Sequence, residues 1–333
     1  MEMGDIAEPA INKKSDVIIG MKSVGICGSD VHYYKTGRIG NQVISFPFLL
    51  GHEGAGEVLE TGSEVDLVRP GDRVAVEPAV TCRGCDQCLA GRGNTCRKIR
   101  FLACPGQLDG CLSEYIVMPQ ENCLPISDDL SFEKASFAEP LSIGIYAVKR
   151  AARLKGARIG ILGCGPIGLS TLVPALSEGA EKTYVTDKLN YRLDAAKTLG
   201  ASWGGNPERM DIAAEIKGLE PMGLDTVFEC CGDQQAIDQA VDLLKPGGQL
   251  VIVGIPEVER ISFDIDRLRV KELTVINIRR QEGCMETALR MLEQNSFDVS
   301  SLITHVFSFE RSKEAFDLVS GYNDGVIKAV IDF

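Results

Sequence analysis

At 333 residues the chain is long enough for two domains, each with its own core. It is 44% hydrophobic and 25% charged, an ordinary globular balance that excludes a disordered or fibrous chain. A formal net charge of −12 argues against a nucleic-acid partner, whose phosphates are held by Lys and Arg, and equally against an anionic membrane surface.

The opening Met1-Glu2-Met3-Gly4-Asp5 has neither a basic n-region nor an apolar h-region, so a cytoplasmic location is expected. Up to about residue 134 the chain carries short β runs: Asp16 to Met21, Gly54 to Leu59, Asp72 to Val76 and Glu114 to Val117. Arg69-Pro70-Gly71-Asp72 is a turn between two of them. This predicts an antiparallel, β-rich domain over 1–134. Glu133 to Arg150 then reads as helical. Ala157 to Leu162 is an apolar run ending at Gly163-Cys164-Gly165-Pro166-Ile167-Gly168, and Ile167 to Ser177 reads as a helix. Strand patterns at Thr183 to Thr186, Thr226 to Phe228, Gln249 to Val253 and Leu273 to Ile276 alternate with helical ones such as Tyr191 to Leu199. They predict βαβ units and a parallel sheet over 135–276. The most apolar stretch, Ile159 to Leu176, holds four glycines and two prolines and reads as strand, turn and helix rather than as a membrane span. Helices at Met285 to Glu293 and Ser312 to Ser320 and a strand at Ile327 to Ile331 close the chain. If 277–333 rejoins the first domain, the parallel sheet is an insertion.

Twelve cysteines without a secretory signal point to a reducing compartment and to metal ligation more than to disulfides. Cys82, Cys85, Cys88 and Cys96 are spaced to converge on one tetrahedral zinc with no open position, a structural site. A second, open constellation is expected from Cys27 in Gly25-Ile26-Cys27-Gly28-Ser29-Asp30-Val31-His32 and from His52-Glu53 between glycines. Cys27, His52 and a carboxylate would leave a fourth position for water or substrate. Glu139, opening a helix in Ala138-Glu139-Pro140-Leu141, could reach that metal across an interdomain cleft, and Asp30 could orient His52 through its other ring N–H. Ser29 and His32 are placed to pass a proton toward solvent, with a surface hydrogen-bonding role the equal alternative for His32. Cys104, Cys111, Cys123, Cys164, Cys230, Cys231 and Cys284 are expected to be small core residues.

Gly163, Gly165 and Gly168 follow a strand and open a helix, the order a dinucleotide turn needs: a tight turn, close backbone approach to the pyrophosphate, and close helix–strand packing. Asp187 ends the next strand. Its carboxylate could accept from the ribose hydroxyls and would repel a 2′-phosphate, which favours NAD over NADP. Lys188 and Arg192 weigh the other way.

Together, Gly25-Ile26-Cys27-Gly28-Ser29-Asp30-Val31-His32-Tyr33-Tyr34, Gly37-Arg38-Ile39-Gly40-Asn41 and Glu139-Pro140-Leu141-Ser142 resemble the zinc-containing medium-chain dehydrogenase/reductase superfamily, over essentially the whole chain. Within it they look most like the sorbitol (L-iditol), xylitol and L-arabinitol dehydrogenases. In alcohol dehydrogenases of the superfamily a cysteine stands where this chain has Glu139, so the glutamate leans toward polyols. The resemblance implies an α/β plus β-rich fold: a GroES-like catalytic domain, 1–134 and 277–333, with an inserted Rossmann doubly wound parallel sheet, 135–276. It implies catalytic zinc on Cys27, His52 and Glu53, with Glu139 near it, and NAD contacts at Ile167, Asp187 and Arg192, near Val253 to Ile255 and near Ile278 to Arg280. It implies a small polyhydroxyl substrate and a homo-oligomer, tetramer or dimer.

Two departures stand out. Polyol dehydrogenases carry Phe-Arg-Tyr where this chain has Arg279-Arg280-Gln281, which leaves substrate length and stereochemistry open. The family also has a strand ahead of the residues matched by Met1-Glu2-Met3, which leaves open whether Met1 is the natural start. L-threonine 3-dehydrogenase shares the metal motifs and, with a secondary alcohol dehydrogenase, is the neighbouring alternative; Gly37 to Asn41 favours the polyol side. A catalytically silent regulatory or binding protein on this fold would be expected to lose Cys27, His52 or Glu53, and all three are present.

Overall fold

Asp16–Gly25 is apolar at Val17, Ile19, Met21 and Val24 and exposes only Lys22, so it forms a central strand. Glu53–Thr61 pairs with it along nearly its whole length, in antiparallel register from Val17 opposite Thr61 to Gly25 opposite Glu53. Tyr115–Pro119 covers the first half of its other edge and Lys328–Asp332 the second. The seven-stranded sheet runs Ile303–Ser308, Lys328–Asp332, Asp16–Gly25, Glu53–Thr61, Arg73–Val76, Cys123–Pro125, with Tyr115–Pro119 as a branch. The computed structural model describes residues 1–256 and 258–333, and this sheet belongs to one compact unit, Met1–Glu139 with Met285–Phe333.

Among the described residues the strand pairs within 1–134 are antiparallel, as expected, and the sheet's parallel pair comes from the C-terminal segment. Ile303–Ser308 and Lys328–Asp332 run parallel, because the helix Ser312–Ser320 makes the crossover that parallel neighbours require. The core of this unit has two clusters. One gathers Val17, Ile19, Val58, Val74, Val76 and Met118. The other joins Ile26 and Tyr33 to Phe307, Phe316 and Ile331 from the C-terminal segment. Truncating a fully buried side chain such as Phe316 to alanine costs about 3–5 kcal/mol.

Pro140–Cys284 forms the second unit. Its six-stranded sheet is parallel throughout, in the order Trp203–Gly205, Lys182–Thr186, Arg158–Leu162, Leu224–Glu229, Leu244–Ile252, Thr274–Asn277. Numbered along the chain that is 3-2-1-4-5-6, the doubly wound Rossmann order, with its switch point between Arg158–Leu162 and Leu224–Glu229. Three helices beyond those read from the sequence complete the layers, Ile212–Leu219, Gln234–Leu243 and Ile265–Lys271.

The single helix expected from Glu133 to Arg150 is two, Phe132–Ser136 and Ala138–Arg150. Pro140 has no N–H to give the carbonyl of Ser136, and its ring crowds that carbonyl, so the ladder breaks between them. No helix among the described residues is long and apolar enough to cross a membrane.

Candidate functional site

Cys27 and His52-Glu53 are far apart in sequence but sit at the same end of one strand pair. Asp16–Gly25 ends two residues before Cys27, and Glu53 opens its antiparallel partner opposite Gly25. The ligand atoms of Cys27, His52 and Glu53 lie within 4.8 Å of one another. His52 and Glu53 are buried, and Cys27 is half-buried.

Asp30 knits this group together. Its carboxylate accepts from the Cys27 N–H at 3.2 Å and the Gly51 N–H at 3.2 Å, and faces His52 Nδ1 at 3.5 Å. One buried side chain thus fixes the backbone at both ligand segments and orients the imidazole. Burial alone would lower the His52 pKa, but the Asp30 carboxylate and the contact with Cys27 overcome it and raise it well above the usual histidine range. Burial pushes Asp30 up, and His52 with the two backbone donors more than reverses this.

The donor set fits a zinc-type ion. It offers a thiolate, an imidazole and a carboxylate, leaving one tetrahedral position open. Glu53 Oε1 is buried with no hydrogen-bond partner among the described residues, an arrangement costly for a carboxylate unless a cation completes it. Glu139 is buried at the start of Ala138–Arg150, in the same compact unit, but is not one of the three clustered residues.

Ser29 and His32 lie on a helix, Gly28–Thr36, that the sequence reading left unassigned. Both are half-buried. Tyr33 on the same helix reaches Gln42 at 3.4 Å, and Gln42 in turn donates to Cys104 Sγ at 2.9 Å. This ties the hairpin Arg38–Ile39 with Gln42–Val43, which carries the Gly-Arg-Ile-Gly-Asn segment, to the helix after Cys27.

The four remaining thiols form a second group. Cys85 Sγ lies 3.6 Å from Cys88 and 3.9 Å from Cys96, and Cys82 lies 4.0 Å from Cys88. Strands Ala79–Val80 and Arg100–Phe101 pair at the base of the loop and close it. Backbone N–H groups of Cys88 and Arg97 pull the Cys85 thiol down to about 6, toward the thiolate that metals bind. A cavity of about 340 Å³ beside this lobe is lined by Lys13, Arg83, Lys98 and Arg100 and does not include Cys27, His52 or Glu53.

In the parallel sheet, Gly163 takes φ +96°, a left-handed turn that favours glycine. Gly165 caps Pro166–Ser177, with Pro166 at the first helical position. A Cβ on Gly168 would lie 1.9 Å from the Gly163 carbonyl oxygen, so the helix approaches the turn as closely as backbone allows. Asp187 does more than stand ready for a ligand. Its carboxylate accepts from the Cys164 N–H at 2.8 Å and the Leu189 N–H at 2.9 Å, with Arg192 at 3.8 Å. Glu229, buried at the end of Leu224–Glu229, accepts from Cys231 and Gly232 N–H at 2.7 and 2.6 Å and shapes the neighbouring loop. Ile167 lies in the first turn of the glycine-turn helix. Val253 and Ile255 follow Leu244–Ile252, and Ile278 follows Thr274–Asn277, its N–H bonded to the Ile252 carbonyl. Arg280 holds φ +52°, and Gln281 is buried, accepting from the Cys284 N–H at 2.8 Å.

Of the seven cysteines expected in the core, five are buried. Cys230 is half-buried and Cys231 is exposed, because both lie on the loop after Leu224–Glu229 rather than in the strand. Sequence reasoning missed Lys328. Its ammonium is buried against Glu53 Oε2 and donates to the Ile26 carbonyl at 3.0 Å. The only local signal was a lysine inside the apolar run Ile327 to Ile331.

Comparison with known proteins places these features. A model of the alcohol dehydrogenase GroES-like domain matches residues 13–128, and one of the zinc-binding dehydrogenases matches 166–294. The chain is 39% identical over 324 residues to a sorbitol dehydrogenase of Bacillus subtilis (strain 168), covering 97% of this chain and 91% of that one. It is 36% identical to an L-idonate 5-dehydrogenase of Vitis vinifera, covering 91% and 85%. A crystal structure of a zinc-binding dehydrogenase from Sinorhizobium meliloti 1021, bound to NADP, superposes with a TM-score of 0.88 at 29% identity, covering 98% and 94%.

Proposed function

This chain belongs to the zinc-binding alcohol dehydrogenases with a GroES-like domain, and we propose that it interconverts a small polyhydroxyl alcohol and its ketose by hydride transfer with NAD. The observation that carries the reading is the convergence of Cys27, His52 and Glu53 with one coordination position left over. Cys27, His52 and Glu53 would hold zinc, with Glu139 as an added carboxylate. Zinc there would supply a Lewis acid that lowers the pKa of a substrate hydroxyl. Asp30 holds His52 in one tautomer and orientation. Ser29 and His32 carry the released proton toward solvent. The Gly163–Gly168 turn would hold the pyrophosphate at a helix N-terminus, Asp187 would accept from the ribose hydroxyls, and Ile167, Arg192, Val253, Ile255, Ile278 and Arg280 would flank the dinucleotide. The division of labour follows the two compact units: zinc chemistry in Met1–Glu139 with Met285–Phe333, dinucleotide binding in Pro140–Cys284. The likeness to sorbitol and L-idonate dehydrogenases supports the polyol class. A cytoplasmic homo-oligomer, dimer or tetramer, completes the proposal. Turnover of sorbitol, xylitol, galactitol, L-threonine and simple alcohols with NAD tests it; a preference for L-threonine or a monohydric alcohol overturns the polyol class.

Cofactor choice is expected to rest on Asp187. The unmodified protein should prefer NAD, and Asp187→Ser should lower the ratio of kcat/KM for NAD over NADP by at least about tenfold, since a like charge beside the 2′-phosphate costs several kcal/mol. Because Asp187 also tethers Cys164 and Leu189, the serine variant should lose some affinity for both cofactors. Equal kcat/KM for the two in the parent contradicts the assignment.

Glu139 is expected to separate polyols from simple alcohols. A harder, more negative donor set suits a substrate offering two adjacent oxygens. Glu139→Ala should lower kcat/KM on the best polyol by on the order of tenfold or more, the scale of disturbing groups around a metal. Parental turnover by that variant would leave Glu139 as a helix-start residue only.

A further inference from the structure

Lys328 is a buried cation at a site expected to bind a cation. Its side chain and that of Glu53 are each 1% exposed. The ammonium lies against Glu53 Oε2, while Oε1 has no hydrogen-bond partner among the described residues. The same ammonium donates to the carbonyl of Ile26, the residue before Cys27. Gly25 makes room for this: a Cβ there would meet Glu53 Oε2 at 2.2 Å and Lys328 Cε at 3.3 Å. Lys328 comes from the C-terminal strand Lys328–Asp332, which pairs beside Asp16–Gly25.

Resting on the reading of Cys27, His52 and Glu53 as zinc ligands, we infer that Lys328 is a positioning residue that shares Glu53 with the metal. It holds one carboxylate oxygen and leaves the other to the ion. The charges support this. A divalent ion would be neutralised by the Cys27 thiolate and the Glu53 carboxylate, so that the charge of Lys328 would then stand against the ion rather than for Glu53. Without the ion, Lys328 is the countercharge that keeps a buried Glu53 carboxylate from standing alone. With the ion, its positive charge opposes the metal and weakens Glu53 as a donor. Zinc is thereby held less tightly and Glu53 remains a ligand that can yield its place to substrate oxygens.

The test is zinc affinity and stability of the full-length Lys328→Met variant, beside the parent. Competition with a chromophoric chelator reads the weaker of two zinc equivalents, identified as the one that Cys27→Ser removes. The variant should bind that zinc on the order of tenfold more tightly, as loss of a nearby like charge requires. Its melting temperature should fall more without zinc than with it. Unchanged or weaker zinc binding, or equal destabilisation of both forms, overturns the inference. Should Lys328→Met not fold, the pair Glu53→Gln with Lys328→Met should, since it removes both charges; failure of that pair as well overturns it. A parent that takes up zinc only at Cys82 to Cys96 instead overturns the metal reading on which the inference rests.

Discussion

Mild chelation is expected to remove one of two zinc ions and abolish turnover while the fold persists. The two groups differ in kind. Cys82, Cys85, Cys88 and Cys96 would surround a metal with four thiolates inside a loop closed at its base by paired strands. Cys27, His52 and Glu53 offer three donors and an open position through which a chelator can enter. Lewis-acid stabilisation of several kcal/mol corresponds to a loss of at least about a hundredfold in kcat. Far-ultraviolet circular dichroism should be unchanged at that stage, because the hydrogen bonds of Asp30 to the ligand segments do not need the metal. Metal analysis finding at most one zinc per active chain would sink the prediction. So would loss of the fold in step with loss of activity.

Gly168→Val is expected to remove dinucleotide binding and destabilise the parallel-sheet unit. A Cβ there would stand 1.9 Å from the Gly163 carbonyl oxygen, a backbone atom with no side-chain freedom to yield. Either the helix Pro166–Ser177 withdraws or the turn at Gly163 deforms, and both move the N–H groups meant for the pyrophosphate. Overpacking of this kind costs about 1–3 kcal/mol or more. Dinucleotide affinity, followed by cofactor fluorescence, should fall on the order of a hundredfold, the weight of a lost phosphate cradle. Gly218→Ala is the control. Gly218 lies in the helix Ile212–Leu219 with nothing within 4 Å of its would-be Cβ, so alanine should be neutral or stabilising by up to about 1 kcal/mol. Tight dinucleotide binding by Gly168→Val would mean that the turn does not hold the cofactor.

What the sequence determined by itself is local chemistry. The four thiols that cluster lie within one short loop, so their convergence needed only a turn-rich segment. The Gly163–Gly168 turn was legible because a strand, three glycines and a helix follow one another without interruption, and backbone sterics at each glycine act between near neighbours. Parallel order in the second unit was legible for the same reason, since each strand pattern is separated from the next by enough chain for a crossover.

What only the tertiary structure decided is long-range register. Cys27 and Glu53 meet because Gly25 pairs with Glu53, and a different register would separate them. The helix Gly28–Thr36 has no apolar stripe; Asp30 and Tyr33 are its buried residues, and burial of an aspartate is not a helix signal. The strand Ile303–Ser308 is half-exposed at the sheet edge, where burial imposes little pattern. Lys328 marks the limit most clearly. A lysine in an apolar run can expose its head or bury it on a partner. Which one holds depended on a glutamate at the far end of the chain, brought within contact by two strands pairing on opposite edges of Asp16–Gly25.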